Sequence, residues 1–454
     1  MAVLISIAAA ISFAGAAAIY WRVRRYARAL RIPAARDDAF TFLGGEAQAV
    51  LLDATGFTLD SQPRAGSTVL LELHVRASIA GAVFDPYVEH AAGRQYFERG
   101  ARGRRYLNLS ASFAAEPAPR RIGLRGRHLR WRDDARLLVF DAPRLDGRSR
   151  LVVAPHPDDA ELAAFGLYAQ ASSFVLTISA GERSHLADEA GIHALQRVEA
   201  SLATPQLGGR GREHCANLAF PDAMLRAMHD DRALECQLAC EPRTSRRVLR
   251  AANSQLELAR GESHCRWSDL VAELVMILRA RLPAVIVCPH PLLDAHPDHV
   301  YTAVATAEAL AESGHRPEAV LLYAVHALNA PLHPLGGRAN WVSLPPGAQA
   351  HWVAETIYSH ALPEDVRAAK RRAIELAPDL RPPSPPRGTA GRLIGFARAC
   401  SALVSGLPQE PADFLRRCAR PNEIYFHVSA ARFAELARRA AAGGSPVHPL
   451  RGRG

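Results

Sequence analysis

Two short clusters hold residues able to do chemistry: His156-Pro157-Asp158-Asp159 and His296-Pro297-Asp298-His299. Neutral imidazoles ligate divalent cations, and carboxylates either join them or take up protons. The apolar run Leu151–Ala154 precedes the first cluster and breaks at Pro155, and Leu162, Ala163, Phe165 and Gly166 resume beyond it as a small-residue helix. A second apolar run, Ala284–Cys288, leads through His290-Pro291-Leu292-Leu293-Asp294-Ala295 into the second cluster. In open α/β sheets ligands collect at the carboxyl ends of strands. Two such corners, both rich in His and Asp, can close on one metal ion.

The paired motifs resemble the PIG-L/LmbE-like family of zinc-dependent N-deacetylases. The resemblance runs from Arg150 to Tyr323 and includes Thr177–Glu182, Glu199-Ala203-Leu207-Gly208 and Phe220-Pro221-Asp222, with Ala180 where the family often has an acidic residue. It implies that His156, Asp159 and His299 hold Zn²⁺, although two histidines and an aspartate suit other divalent metals too. Amide hydrolysis needs a strong nucleophile, a polarised carbonyl and a proton for the leaving amine, and a zinc ion with an open position supplies the first two. Asp158 is then the general base. His296 stabilises the oxyanion or protonates the amine, and Asp298 holds that imidazole's tautomer and charge. Asp294 and His290 are candidate substrate contacts, and Glu161 reads as a helix-start residue favoured by the dipole. A purely structural reading makes each cluster a turn and a helix cap, which accounts for one corner more easily than for two.

The elements that must position these residues follow an alternating rhythm. Phe174–Ser179, Ala284–Cys288 and Ala319–Val325 read as strands; Ile192–Leu207, Leu270–Leu282 and Val300–Glu312 read as helices. Strands alternating with helices mean a Rossmann-like α/β domain, a parallel sheet with helices on both faces. The segment His229–Glu262 breaks the rhythm as an insertion. Beyond Ala330, Glu364–Leu376 and Phe433–Ala441 read as helices, Glu423–Val428 as a strand, and Arg381–Gly388 as a proline-rich connector.

Upstream, Val69, Leu71, Leu73 and Val75 alternate with Glu72, His74 and Arg76, the period of a half-buried antiparallel strand. Further short runs between turn residues suggest a small β-sandwich. Its aromatics Tyr87, Tyr96, Phe97 and Tyr106 either fill that core or stack on sugar rings. Residues 2–20 carry no charge, about the length that crosses a bilayer, and Arg22, Arg24, Arg25, Arg28 and Arg31 follow. The positive-inside rule then predicts a single-pass transmembrane anchor with the remainder facing the cytoplasm; the rival is a cleaved signal peptide and export. The expected division is anchor and basic arm (1–35), β-rich accessory domain (36–149), deacetylase domain (150–380) and a C-terminal extension with a disordered tail (381–454).

Net charge is +10, carried almost wholly by arginine, which favours anionic partners. No basic run interleaves with stacking aromatics, so nucleic acid is not expected. Seven cysteines, none in the first 200 residues, form no disulfide framework. The resulting expectation is a membrane-anchored deacetylase acting on an N-acetylhexosamine, N-acetylglucosamine foremost, of a lipid-linked saccharide. The alternatives are a non-catalytic glycan-binding protein on the same fold and an amidase of a thiol-sugar conjugate.

Overall fold

Leu151, Val152, Val153 and Ala154 are all buried, because their strand has a layer of helices on each face. The computed structural model describes parts of 17–28, then 36–380 apart from 60, 115–119, 170, 184–189, 241–243, 254–264 and 348–351, and finally 418–444. The central sheet contains β1 (Arg150–Ala154), β2 (Ser173–Ser179), β3 (Cys215–Phe220), β4 (Val285–Pro289), β5 (Ala319–Tyr323), β6 (Thr356–Ala361) and β7 (Asn422–Val428). Its spatial order is β3-β2-β1-β4-β5-β7-β6. Alternate residues of β1 enter different cores: Leu151 and Val153 pack with the helices Trp267–Arg281, Pro297–Ser313 and Ala430–Arg439, while Val152 and Ala154 pack with the layer that includes Ala190–Ala203 and Glu364–Leu376.

The expectation of a purely parallel sheet is corrected. β1 to β5 are mutually parallel, but β7 runs antiparallel between β5 and β6, so the sheet is mixed. β7 comes from the chain's C-terminal part, after the helix Glu364–Leu376 that follows β6. An antiparallel ladder accepts it equally well, because only parallel neighbours require a right-handed crossover. Glu423 on this strand is bound deep in the structure by Lys370 Nζ at 2.6 Å, by Tyr425 OH at 2.7 Å and by the Gly166 backbone.

Residues 40–140 form small sheets. Glu46–Leu51, Leu129–Phe140, Thr68–Ala77 and Arg102–Asn108 make a four-stranded antiparallel sheet. Its Val69, Leu71, Leu73 and Val75 face packs with Val88, Phe97, Ile122 and Leu124 from or beside the smaller sheets, giving the sandwich core. The opposite face is not simply solvated. Leu70, Leu138 and Phe140 join Phe40, Ile357 and Phe426 in the core of the central sheet. Phe40–Phe42 also pairs in parallel with Trp352–Ala354. Phe97 and Tyr106 are buried, while Tyr87 and Tyr96 lean on each other with centroids 5.1 Å apart, so these aromatics pack rather than form an open sugar platform.

Thr68 tests this docking. Its Oγ1 accepts from the Ser359 backbone N–H at 2.8 Å across the buried junction. Thr68→Val keeps the shape but strands that donor, and is expected to cost about 1–3 kcal/mol in urea unfolding. An unchanged midpoint would show that the junction contributes nothing to stability.

Among the described residues no helix is long and apolar enough to cross a membrane. The apolar segment 2–20 lies outside the described residues except at Ala17 and Tyr20, and so do the connector 381–388 and the chain beyond Gly444.

Candidate metal centre

The strand order reverses at β1, with β2 and β3 to one side and β4 and β5 to the other. In open α/β sheets ligands bind outside the carboxyl ends of the strands at such a switch point, and the two clusters sit on the loops leaving β1 and β4. After β1 the chain turns through Pro155, whose carbonyl accepts from Ser179, and the His156 N–H donates to Asp159 Oδ2 at 2.9 Å. This fixes His156 and Asp159 on one side of the corner. Asp158, the residue before the short helix Asp159–Ala163, remains half-exposed. After β4 the loop 290–296 delivers the helix Pro297–Ser313, capped by His296, whose Nδ1 accepts from the Asp298 N–H at 3.2 Å.

Three atoms converge. His156 Nδ1 lies 3.1 Å from Asp159 Oδ2 and 3.2 Å from His299 Nε2, and His299 Nε2 lies 3.1 Å from the same Asp159 oxygen. The far nitrogen of each imidazole faces carboxylates. His299 Nδ1 is 2.9 Å from Asp294 Oδ2; His156 Nε2 is 3.3 Å from Asp222 Oδ1 and 3.4 Å from Asp298 Oδ2. Protons held on those outer nitrogens leave both inner nitrogens with bare lone pairs beside a carboxylate oxygen. Three unprotonated donors at such spacing suit a divalent cation, whose ligands lie at about 2.0–2.2 Å, and carboxylates behind the histidines are the usual orienting partners of metal ligands.

The electrostatics agree. Burial lowers the His156 pKa, but hydrogen bonds to Asp159, Asp222 and Asp298 outweigh it and hold the ring well above its ordinary value. Burial likewise opposes charge on His299, yet Asp159 and Asp294 lift it to about 10. Asp222 falls to about 2 against its burial, because His156 bonds to it. The pocket is built to receive positive charge, whether from protons or from a metal.

The other expected site residues fall around this triad in distinct places. His296 stands edge-on to His156, ring centroids 4.7 Å apart, with its free nitrogen turned from the cap. Asp298 does not send its carboxylate to His296; Oδ2 accepts from the Ala223 N–H at 2.6 Å and faces His156. Asp294, expected to touch substrate, is wholly buried and also accepts from the backbones of His296 and Val325. His290 stays outside the cluster: its Nδ1 accepts from Leu292 and Leu293, and its ring packs on Phe426. Glu161 does not sit at a solvated helix start. It is buried, accepts from Tyr168 OH and Thr204 Oγ1, and burial pushes its pKa to about 7.

Three residues join the site without a role assigned to them from the sequence, although Glu182 and Asp222 stand in segments that carry the family resemblance. Asp222, behind His156, comes from the loop after β3. Glu182, after β2, accepts from the Asp222 and Ala239 backbones. His326, after β5, has a ring 4.9 Å from that of His299, and one of its nitrogens groups with Asp159 and His299. Their shared signal is position: each follows the carboxyl end of a parallel strand.

Asp294→Asn keeps the shape of the partner behind His299 but removes its charge. Metal affinity is expected to fall about 10–100-fold, read by competition with a chromogenic chelator. Unchanged affinity would mean that Asp294 serves the loop alone.

Comparison with curated proteins finds no match. Among solved structures, the N,N'-diacetylchitobiose deacetylase from Pyrococcus horikoshii, complexed with its inhibitor MPG, is 15% identical, with 64% of this chain and 87% of that chain covered and a TM-score of 0.35. GalB, the 4-carboxy-2-hydroxymuconate hydratase from Pseudomonas putida KT2440, is 14% identical, with 56% and 87% covered and a TM-score of 0.30. The family model described as "PIG-L: GlcNAc-PI de-N-acetylase" matches residues 151–310, the stretch that begins at β1 and ends in the helix after His299. Both corners of the donor triangle lie inside that match, and residues 151–310 are a PIG-L family domain.

Proposed function

We propose that this chain is a metal-dependent N-deacetylase that removes the acetyl group from an N-acetylhexosamine, N-acetylglucosamine foremost, on a lipid-linked saccharide. The observation that carries the reading is the convergence of His156 Nδ1, Asp159 Oδ2 and His299 Nε2 within 3.2 Å of one another, inside a PIG-L family domain. His156, Asp159 and His299 would hold the ion, with Zn²⁺ the first choice. When bound, it supplies Lewis-acid polarisation and lowers the pKa of water to about 7.

The chain's own groups do the rest. Asp158, next to the Asp159 ligand and partly exposed, takes the proton of the attacking water on its carboxylate. His296 spends Nδ1 on the helix cap, so its neutral ring carries a proton on Nε2 that donates a hydrogen bond to the oxyanion, while the proton taken up by Asp158 passes to the leaving amine. Asp222, Asp294 and Asp298 keep the two ligand imidazoles in their working tautomers.

The membrane part of the proposal comes from the chain's start. Residues 2–20 form the span, the arginines after it hold the cytoplasmic side, and 36–149, 150–380 and 381–454 follow as accessory, catalytic and C-terminal parts. A reporter fused after Gly454 is expected to behave as cytoplasmic; protease access from outside would reverse that orientation. The decisive assay offers the purified protein a panel of lipid-linked and free N-acetylhexosamines, with and without chelator. Acetate release that chelator abolishes and metal restores is expected, greatest on a lipid-linked substrate. Release indifferent to chelator, or no release from any N-acetylated sugar, would reject the proposal.

A further inference from the structure

The end of the β-rich part where the chain enters it has an unusual surface. Tyr26, on the helical segment after the apolar stretch, is buried there; its hydroxyl accepts from the Arg99 N–H at 3.4 Å, and the Arg99 guanidinium lies 4.6 Å from its ring. The adjacent loop carries Ile79, 94% exposed, and Phe84, 53% exposed, on either side of a short turn. That loop is firmly seated. The Gly100 N–H donates to Gly81, Ser78 donates to His128, and the Phe84 ring stacks on His128. Beside it, the strand register puts Arg130, Arg76 and Arg102 side by side on three adjacent strands. All three are exposed, and among the described residues no carboxylate pairs with them. Like charges opposite one another destabilise a sheet, so this row works against the fold unless something anionic covers it.

We propose that this end is a membrane-contact surface: Ile79 and Phe84 enter the headgroup region of a bilayer, and Arg76, Arg102 and Arg130 take anionic lipid headgroups. The inference rests on the reading of residues 2–20 as a membrane span, which supplies the bilayer. Tyr20 closes the apolar stretch, and the described residues from Tyr20 to Tyr26 are helical. Six residues of continuous helix would rise about 9 Å, just past the ~5–8 Å of one headgroup layer. Docking of Tyr26 therefore holds the exposed loop and the arginine row at the bilayer surface. An apolar pair flanked by arginines is the composition of an interfacial contact, which gains from both burial and anionic lipid. The role of the accessory part would be to fix how the catalytic part stands on the membrane.

The test uses the full chain reconstituted into vesicles of phosphatidylcholine, with or without phosphatidylglycerol. An environment-sensitive fluorophore is placed through Ile79→Cys and, as a control, through Leu282→Cys, which is 63% exposed beyond the helix Trp267–Arg281. The probe at 79 is expected to shift to the blue and to be quenched by lipids carrying a shallow nitroxide, while the probe at 282 is not. Phosphatidylglycerol should strengthen docking by about fivefold per arginine at low salt, and the triple change R76Q/R102Q/R130Q should abolish that gain. A chain that floats with the vesicles while position 79 remains as wet as position 282 overturns the surface and leaves the span standing. Docking indifferent to anionic lipid overturns the arginine assignment. A chain that floats with neither vesicle overturns the span itself, and this placement with it.

Discussion

Asp158→Asn is expected to lower turnover by about 10²–10⁴-fold while the protein keeps its metal, because general-base catalysis contributes on that scale. Asp158 and Asp159 are neighbours in sequence, yet the corner after β1 sends them to different work. Asp159 is buried, bonded to the His156 backbone and shared between two imidazoles. Asp158 starts the next helix and remains half-exposed beside the triad. An asparagine at 158 retains size and hydrogen bonding but cannot accept the proton of water, so kcat should fall with little change in KM. The matched change Asp159→Asn replaces a charged ligand with a neutral amide and should instead weaken the metal. Metal content and turnover measured together on both variants decide the matter. Loss of metal from Asp158→Asn with retention by Asp159→Asn would reverse the two roles.

His299→Ala should have the larger effect on composition: a purified protein with about one divalent ion per chain is expected to lose it, and all chelator-sensitive activity with it. His299 is wholly buried and both its nitrogens are committed, one to the triad and one to Asp294. Removing the ring also leaves Asp294 a buried carboxylate without its imidazole partner and Asp159 with only His156, so unfolding must be monitored beside metal content. His299→Gln, which keeps a polar partner for Asp294, separates the two causes: a folded variant without metal assigns the loss to the ligand. Full metal occupancy in a folded His299→Gln protein would exclude the proposed centre.

Much of this was readable in the chain because it is local. His156 and Asp159 are three residues apart at a break between an apolar run and a helix, so strand, corner and donors are specified within a dozen residues. The same locality made Glu364–Leu376 a helix in both the sequence and the structure, and it set Val69, Leu71, Leu73 and Val75 on one buried face. What tertiary structure decided is everything that depends on a partner far along the chain. Leu70 lies on the strand face opposite Val69 and Leu71, and it is buried because the central sheet covers that side. The direction of β7 is set by the strands it joins more than 60 residues away, as the register between Ile357 and Phe426 shows. Asp222 and Asp294 are aspartates in loops until folding places them behind His156 and His299, and Glu161 is a helix-start carboxylate until Tyr168 and Thr204 close over it. Residue type and local spacing are written into the sequence because they act through short-range sterics and burial pattern. The role of a buried polar group depends on which donor or acceptor compensates its loss of water, and that partner is chosen only when the chain packs.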